Sequence, residues 1–440
     1  MTFPRTLYLA GPIALLAGAA FWLGHFYQVG AADPARPATI DASQYPNLQA
    51  AFDAVPDGGG IVMLPPGNFD ITQPLVLSKS ETRVTGSGAA THIRNRNENG
   101  EPALIVRDPR RAGKPSREMR RESYLWRVQL ADFRVSGNPK SGDGIYVDGA
   151  NELYIHGLSI DHNGGHGINC QDCLEDPRIT DSIFTYNAKA GLNIQGGHDI
   201  VVNANQFEEN QDAVRCSDSF NLCMNANNID DHLRHGVVIE NTYGSVLSGN
   251  MIEECAGTAI ILDRDCYGIA ISSNVIAHNL GGGVDVRDGW GISISANTFT
   301  IVPNPAVRVG PNSGRISITG NAFSNSYIGG KTRREEDYQA TWPRISFAAG
   351  VFLEDTSDIA ITGNVFTGLI GQAVRTKGRC VRIALAGNVA SDLGRKHDGK
   401  AMAFDMTGAT EVAAGLNAIA KAHRADSNER RAARAGAPSP

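Results

Sequence analysis

The sequence predicts an all-β protein: a parallel β-helix, one chain wound into coils of about 23 residues, with a helical cap at its N-terminal end. Three observations predict it. A short apolar run recurs at nearly constant spacing, an asparagine follows each run in the same column, and glycine is abundant without a collagen period. The runs open at Gly144, Gly167, Gly191, Ala213, Gly236, Ala259, Gly283, Ala306, Gly350 and Ala373, spaced by 23, 24, 22, 23, 23, 24, 23, 44 and 23 residues. Glycine makes up 49 of 440 residues, and only 7% are aromatic, which points to many turns and few bulky side chains. With 42% hydrophobic and 20% charged residues and a net charge of −6, the chain is neither disordered nor a basic nucleic-acid binder. Length alone suggests about three domains; the repeat replaces that with one solenoid.

The elements follow in chain order. Leu7 to Gly24 is apolar, follows Arg5, and is succeeded by the small residues Gly30-Ala31-Ala32, so residues 1–32 are expected to be an export signal or an N-terminal membrane anchor. In either case the body would be exported: periplasmic, extracellular or anchored facing outward. Tyr45 to Val55 carries Leu48, Phe52 and Val55 at helical spacing and precedes a turn and a first strand. Residues 40–78 are read as the N-terminal cap and residues 79–407 as the β-helix. Ala409 to Ala422 has the pattern of an amphipathic helix, so 408–440 is expected to be a closing helix and a disordered tail from Asp426. A monomer is expected.

Within a coil, strands of a few residues separated by turns too short for helices can only stack on their neighbours, about 4.8 Å apart. Alternation then sends Ile145/Val147, Ile168/Cys170, Leu192/Ile194, Val214/Cys216, Val237/Ile239, Ile260/Leu262, Val284/Val286, Val307/Val309 and Val351/Leu353 inward. The asparagines, Asn205, Asn227, Asn250, Asn274, Asn297, Asn321, Asn364 and Asn388, are expected to occupy left-handed turn positions and to bond their stacked copies, with Asp181, Gly157 and Asp132 earlier in the same column. The seven cysteines are read as core thiols or disulfides. Cys170-Gln171-Asp172-Cys173 has no second CxxC or histidine cluster to complete a zinc site.

The entry segment PNLQAAFDAVPDGGGIVMLPPGNFDI resembles the N-terminal cap of the pectate-lyase and polygalacturonase superfamily, and the repeats over roughly residues 40 to 405 resemble its β-helix. The resemblance implies a right-handed helix and an enzyme acting on polysaccharide.

One outward face concentrates charge. Its first column reads Tyr146, Asn169, Asn193, Arg215, Val238, Ile261, Asp285, Arg308, Phe352 and Arg375. Its second reads Asp148, Gln171, Gln195, Ser217, Glu240, Asp263, Arg287, Gly310, Glu354 and Lys377. Such a face suits an acidic polysaccharide. Asp285, Arg287, Arg308 and Asp263 are the candidate catalytic residues. Arg215, Arg234, His235 and Tyr146 are the candidate substrate-binding residues, and Glu240 with Asp263 could offer the oxygen ligands of a calcium ion. An arginine or the ion would neutralise a uronate carboxylate while a base removes the acidified C5 proton, leading to β-elimination or C5 epimerisation. The competing interpretation is an ion-pair ladder, Asp263 with Arg287 and Asp285 with Arg308, on a non-catalytic carbohydrate-binding or envelope-structural solenoid. Two stretches interrupt the repeat, Arg107 to Arg121 with seven basic residues in fifteen and Tyr327 to Phe347. They adjoin Tyr124, Trp126, Tyr338 and Trp342, which could stack on sugar rings.

Residues 234–279, opening with Arg-His-Gly and carrying a Leu-Asp-Arg strand end, resemble the catalytic-region coils of periplasmic alginate (mannuronan) C5-epimerases. The resemblance implies that Arg234 and His235 sit at the carboxylate-binding end of the groove. Where that family has Asp-Pro-His, this chain has Arg215-Cys216-Ser217-Asp218. A polygalacturonase-type hydrolase needs paired carboxylates straddling a water. Here Gly165-His166-Gly167 precedes Asn210-Gln211-Asp212, the reverse of that family's order, and Asp230-Asp231 lies out of phase with the strand, leaving Asp263 with Asp285 as the pair available. The Gly-His-Gly is read as a turn.

Overall fold

A computed structural model describes residues 37–113, 123–325, 348–394 and 401–420. They form a right-handed parallel β-solenoid of about 13 turns with almost no helix. Every coil contributes strands to parallel ladders; one is a separate 14-stranded sheet, and two others merge into a 30-stranded sheet. The expected inward pairs are buried throughout, from Ile145 and Val147 to Val351 and Leu353. Phenylalanines stack along the axis as well: Phe299, Phe323 and Phe366 lie with centroids 4.8 and 4.6 Å apart. That is the coil spacing, so one coil's aromatic is packed by the next coil's copy.

The asparagine ladder is continuous from Asn205 to Asn417. Each Nδ2 donates to the next Oδ1, for example 2.9 Å from Asn250 to Asn274, and each backbone N–H donates to the same oxygen. The left-handed residue is not the asparagine but the one before it: Ala204, Ala226, Ser273 and Ala296 have φ between 53° and 57°, and Gly249, Gly320, Gly363 and Gly387 share the column. Asp132, Gly157 and Asp181 belong to that column too, and Ser182 is the residue that precedes Asn205 in the ladder. A second ladder, Asn163, Asn187 and Asn210, runs beside the first and is continued by His232.

The predicted helix spans Leu48–Asp53; the Asn47 side chain accepts from the Ala50 N–H at 2.9 Å, and Leu48, Ala51 and Phe52 are buried. A strand the sequence did not suggest, Ala38–Asp41, precedes it and pairs with Gly60–Met63. The C-terminal expectation is corrected: Ala409–Gly415 is a strand paired in register with Cys380–Ala386, not a helix. Its alanines favour helix intrinsically, but the open ladder edge offers a backbone template that overrides propensity. All seven cysteines are free thiols; six are buried and Cys223 is half-buried. Among the described residues no helix is long and apolar enough to cross a membrane. The expected signal or anchor, the Tyr327–Phe347 insertion with Tyr338 and Trp342, and the tail lie outside the described residues.

Candidate functional site

The outward columns are in register as the repeat demands. Tyr146 pairs with Asn169, then Asn193, Arg215, Val238, Ile261, Asp285, Arg308, Phe352 and Arg375 on successive strands. Parallel pairing thereby fixes which charged groups can meet, since side chains two residues apart on one strand or level on the next share a face.

At the centre of this face Val238 is 5% exposed and Ile261 only 1%, although both point outward. Asp285 is buried. Its Oδ2 accepts from Arg287 Nε at 2.8 Å, and its Oδ1 is enclosed without a partner. Arg287 Nη1 also lies 3.5 Å from Asp263 Oδ2. Burial works against the Arg287 charge, but the Asp285 and Asp263 carboxylates outweigh it and hold the guanidinium more firmly protonated. The face thus contains the Asp263–Arg287 pair, but Asp285 pairs with Arg287 rather than with Arg308. Arg308 Nη2 reaches Glu354 Oε2 at 2.9 Å, and Lys377 Nζ takes the other Glu354 oxygen at 2.7 Å. Asp285 and Arg308, with Thr258, Arg375 and the ring of Phe352, line a hollow of about 360 Å³. Arg375 stacks on that ring, its guanidinium carbon 4.1 Å from the centroid.

Three coils before Asp285, Asp212 forms a second centre. It is fully buried, ion-paired to Arg234, bonded by Arg215 Nη1 at 3.1 Å and by the His235 N–H at 3.0 Å. Burial alone would raise its pKa; the Arg234 pair, the His235 N–H and Arg215 reverse that and hold it below the ordinary carboxylate value. Arg234 is therefore committed to Asp212. His235 Nδ1 accepts the Thr258 N–H at 3.0 Å, so the neutral ring carries its proton on Nε2, and burial lowers its pKa. It is a hydrogen-bond donor, not a free base. Asp212 stands one residue before the recurring glycine or alanine, level with Ala190 and His235 on the neighbouring strands, in a column with no recurring residue type; the run Asn210-Gln211-Asp212 is its only sequence signal.

Glu240 and Asp263 do not fit a calcium ion as placed. Glu240 Oε2 is bonded by Arg215 Nη2 at 2.8 Å and its Oε1 faces Arg264 Nε at 3.4 Å. Asp263 Oδ1 accepts the Arg264 N–H at 2.9 Å while Oδ2 faces Arg287. Their oxygens are spent on cationic and N–H donors, which repel a cation. Among the described residues, the groups of three His, Cys, Asp or Glu close enough to share an ion include neither residue.

Tyr146 is not brought to these residues. It lies six strands from Asp285, about 29 Å away at the coil spacing, in a separate hollow of about 530 Å³ with Arg107, Asp143 and Lys189. Arg111, from the basic stretch, is 1% exposed and clamps Asp148 at 2.7 Å and Asp172 at 3.0 Å, with its guanidinium 4.7 Å from the Tyr124 ring centroid. Trp126 is likewise faced by Arg127, at 5.7 Å.

No curated protein matches the sequence. Among solved structures, DFA-IIIase from Arthrobacter chlorophenolicus A6 in complex with GF2 aligns with a TM-score of 0.56 and 15% identity, over 88% of this chain and 100% of that one. The A-module of the Azotobacter vinelandii mannuronan C-5 epimerase AlgE6 aligns with a TM-score of 0.50 and 16% identity, over 87% and 100%. The Dettilon tailspike protein aligns at 0.48 and 15%, over 85% of this chain, which spans only 64% of the tailspike's length. The family model described as "Right handed beta helix region" matches residues 119–263, 204–323 and 235–392. With that match covering most of the chain, and with its coils stacked in unbroken parallel register, the protein belongs to the right-handed β-helix family.

Proposed function

We propose that the protein acts on an acidic polysaccharide through proton abstraction at C5 of a uronate residue. The observation that carries this reading is Asp285: a buried carboxylate, oriented through one oxygen by Arg287, with its other oxygen unpartnered, at the wall of a hollow that two further guanidinium groups, Arg308 and Arg375, also line. A uronate carboxylate between Arg308 and Arg375 would have its charge offset, which acidifies C5. Asp285 Oδ1 then takes the C5 proton. The electron pair either forms a C4–C5 double bond as the C4–O bond breaks and the leaving oxygen takes a proton, or accepts a proton on the opposite face to give the epimer. Because Oδ1 is enclosed, a sugar reaches it only after a side chain at the hollow rearranges. No step passes through a metal ion. The fold shared with the mannuronan C-5 epimerase module supports the substrate class.

A second reading, a non-catalytic carbohydrate-binding surface, is favoured by one observation: Arg215, Glu240, Asp263, Arg287, Arg308, Glu354 and Lys377 all already have ion-pair partners. The test is incubation with polymannuronate, polyguluronate and polygalacturonate in deuterium oxide, following unsaturated-uronate absorbance and deuterium at C5. Absorbance identifies a lyase and deuterium without absorbance an epimerase. Neither signal on any polymer, with binding retained, selects the second reading.

A further inference from the structure

The row at the strand openings contains one arrangement twice. Asp212 Oδ1 accepts the His235 N–H at 3.0 Å, and His235 Nδ1 accepts the Thr258 N–H at 3.0 Å. Three coils earlier, Asp143 Oδ1 accepts the His166 N–H at 2.7 Å, and His166 Nδ1 accepts the Ala190 N–H at 3.1 Å. Since a backbone N–H can only donate, both neutral rings carry the proton on Nε2. Neither Nε2 has a partner among the described residues, and both rings are half-buried. Burial lowers the pKa of each, so both remain neutral donors near pH 7.

Each step also adjoins one of the two hollows. Thr258, bonded to His235, lines the hollow of Asp285, Arg308 and Arg375. Asp143 and Gly165, on either side of the His166 step, line the hollow of Tyr146, Arg107 and Lys189. Each hollow is thus lined by two cationic side chains, Arg308 with Arg375 and Arg107 with Lys189, and by a residue hydrogen-bonded to one of the two histidines.

We infer that the Tyr146 hollow is a second anion-binding station for the same acidic polysaccharide, in which His166 Nε2–H, Arg107 and Lys189 hold a uronate unit of a chain whose other end occupies the Asp285 hollow. The inference rests on the proposed function. The two histidines are three strands apart, about 14 Å, and Tyr146 and Asp285 six strands apart, about 29 Å, so only a polymer of several sugars engages both stations. Short oligomers occupy one.

The test is H166N, in which the asparagine oxygen keeps an acceptor for the Ala190 N–H while the donor at the Nε2 position is lost, the remaining amide Nδ2 sitting on a shorter side chain, compared with H235N and the wild type. Affinities for long-chain polymannuronate and polygalacturonate and for their trimers are measured by calorimetric titration, with circular dichroism and urea midpoints as the fold control. A lost hydrogen bond to a carboxylate lowers the ratio of long-chain to trimer affinity about tenfold or more in H166N. The same ratio in H235N does not fall, since that station holds trimer and polymer alike. An unchanged ratio in folded H166N overturns the second station while leaving the proposed function standing. A wild-type protein that binds no polyuronate of any length overturns both.

Discussion

His232 is the ladder position at which protonation should be felt most. It stands where the second ladder would continue with asparagine, is 1% exposed, and has Nδ1 3.2 Å from the Asn210 N–H nitrogen and Nε2 enclosed without a partner. Burial brings its pKa down from the ordinary 6.5 to about 4. The unfolded chain binds a proton near pH 6.5 that the folded chain refuses until about pH 4, so the contribution is fully present above the unfolded value and is lost as pH falls through the folded one. The shift corresponds to about 3 kcal/mol of stability lost between pH 7 and pH 4. In H232N the ladder residue is restored and this loss should disappear. The assay is urea unfolding of both proteins at several pH values in that window, with each protein compared with itself so that any packing change cancels. Acidic residues such as Asp212 destabilise both proteins on acidification, and only the difference in slope reports His232. If the wild type and H232N lose stability in parallel, the buried neutral histidine is not the cause and the reasoning fails.

Removing one ladder asparagine should cost more than its size suggests. N250A strips the partner from the Asn227 N–H and Nδ2 and is expected to destabilise by about 3 kcal/mol, read from the denaturant midpoint. R111A removes a buried cation and leaves the half-buried Asp148 and Asp172 carboxylates facing each other without it, and a loss of about 3 kcal/mol is expected in the same measurement; a loss under 1 kcal/mol would show that the clamp contributes little. If C5 chemistry is found, D285N should reduce turnover by at least about a hundredfold while polymer binding persists, checked by initial rates and titration. Retained turnover in D285N would remove Asp285 as the base.

The solenoid was legible because period and alternation are local properties that survive without side-chain detail. Spacing placed Tyr146 through Arg375 in one column, and the strands pair so. The same logic misplaced the left-handed position by one residue, because asparagine was credited with a conformation that alanine and serine adopt just before it. The second ladder escaped notice because His232 and Cys255 interrupt its asparagines. The C-terminal strand escaped because an alanine-rich segment reads as helix until a template edge is supplied. The site was legible to the level of the column and no further. Which carboxylate Arg287 or Arg308 would choose depends on the rotamers of long side chains, which no spacing encodes. Asp212 owes its importance to being buried beneath two arginines, a fact of packing alone.

The first asparagine ladder also bears on how such a chain can change. Between Asn297 and Asn321 the step is 24 residues and between Asn321 and Asn364 it is 43, yet both Nδ2 to Oδ1 distances are 3.0 Å. The rungs on either side of the longer step are indistinguishable, so the ladder registers coils and not the residues between them. Closing a longer excursion costs entropy only logarithmically, about 0.6 kcal/mol for each doubling of length. The segment joining Asn325 to Ala348 is therefore a cassette position: its length and composition can be exchanged, by recombination or by design, while the floor of the charged face keeps its registration.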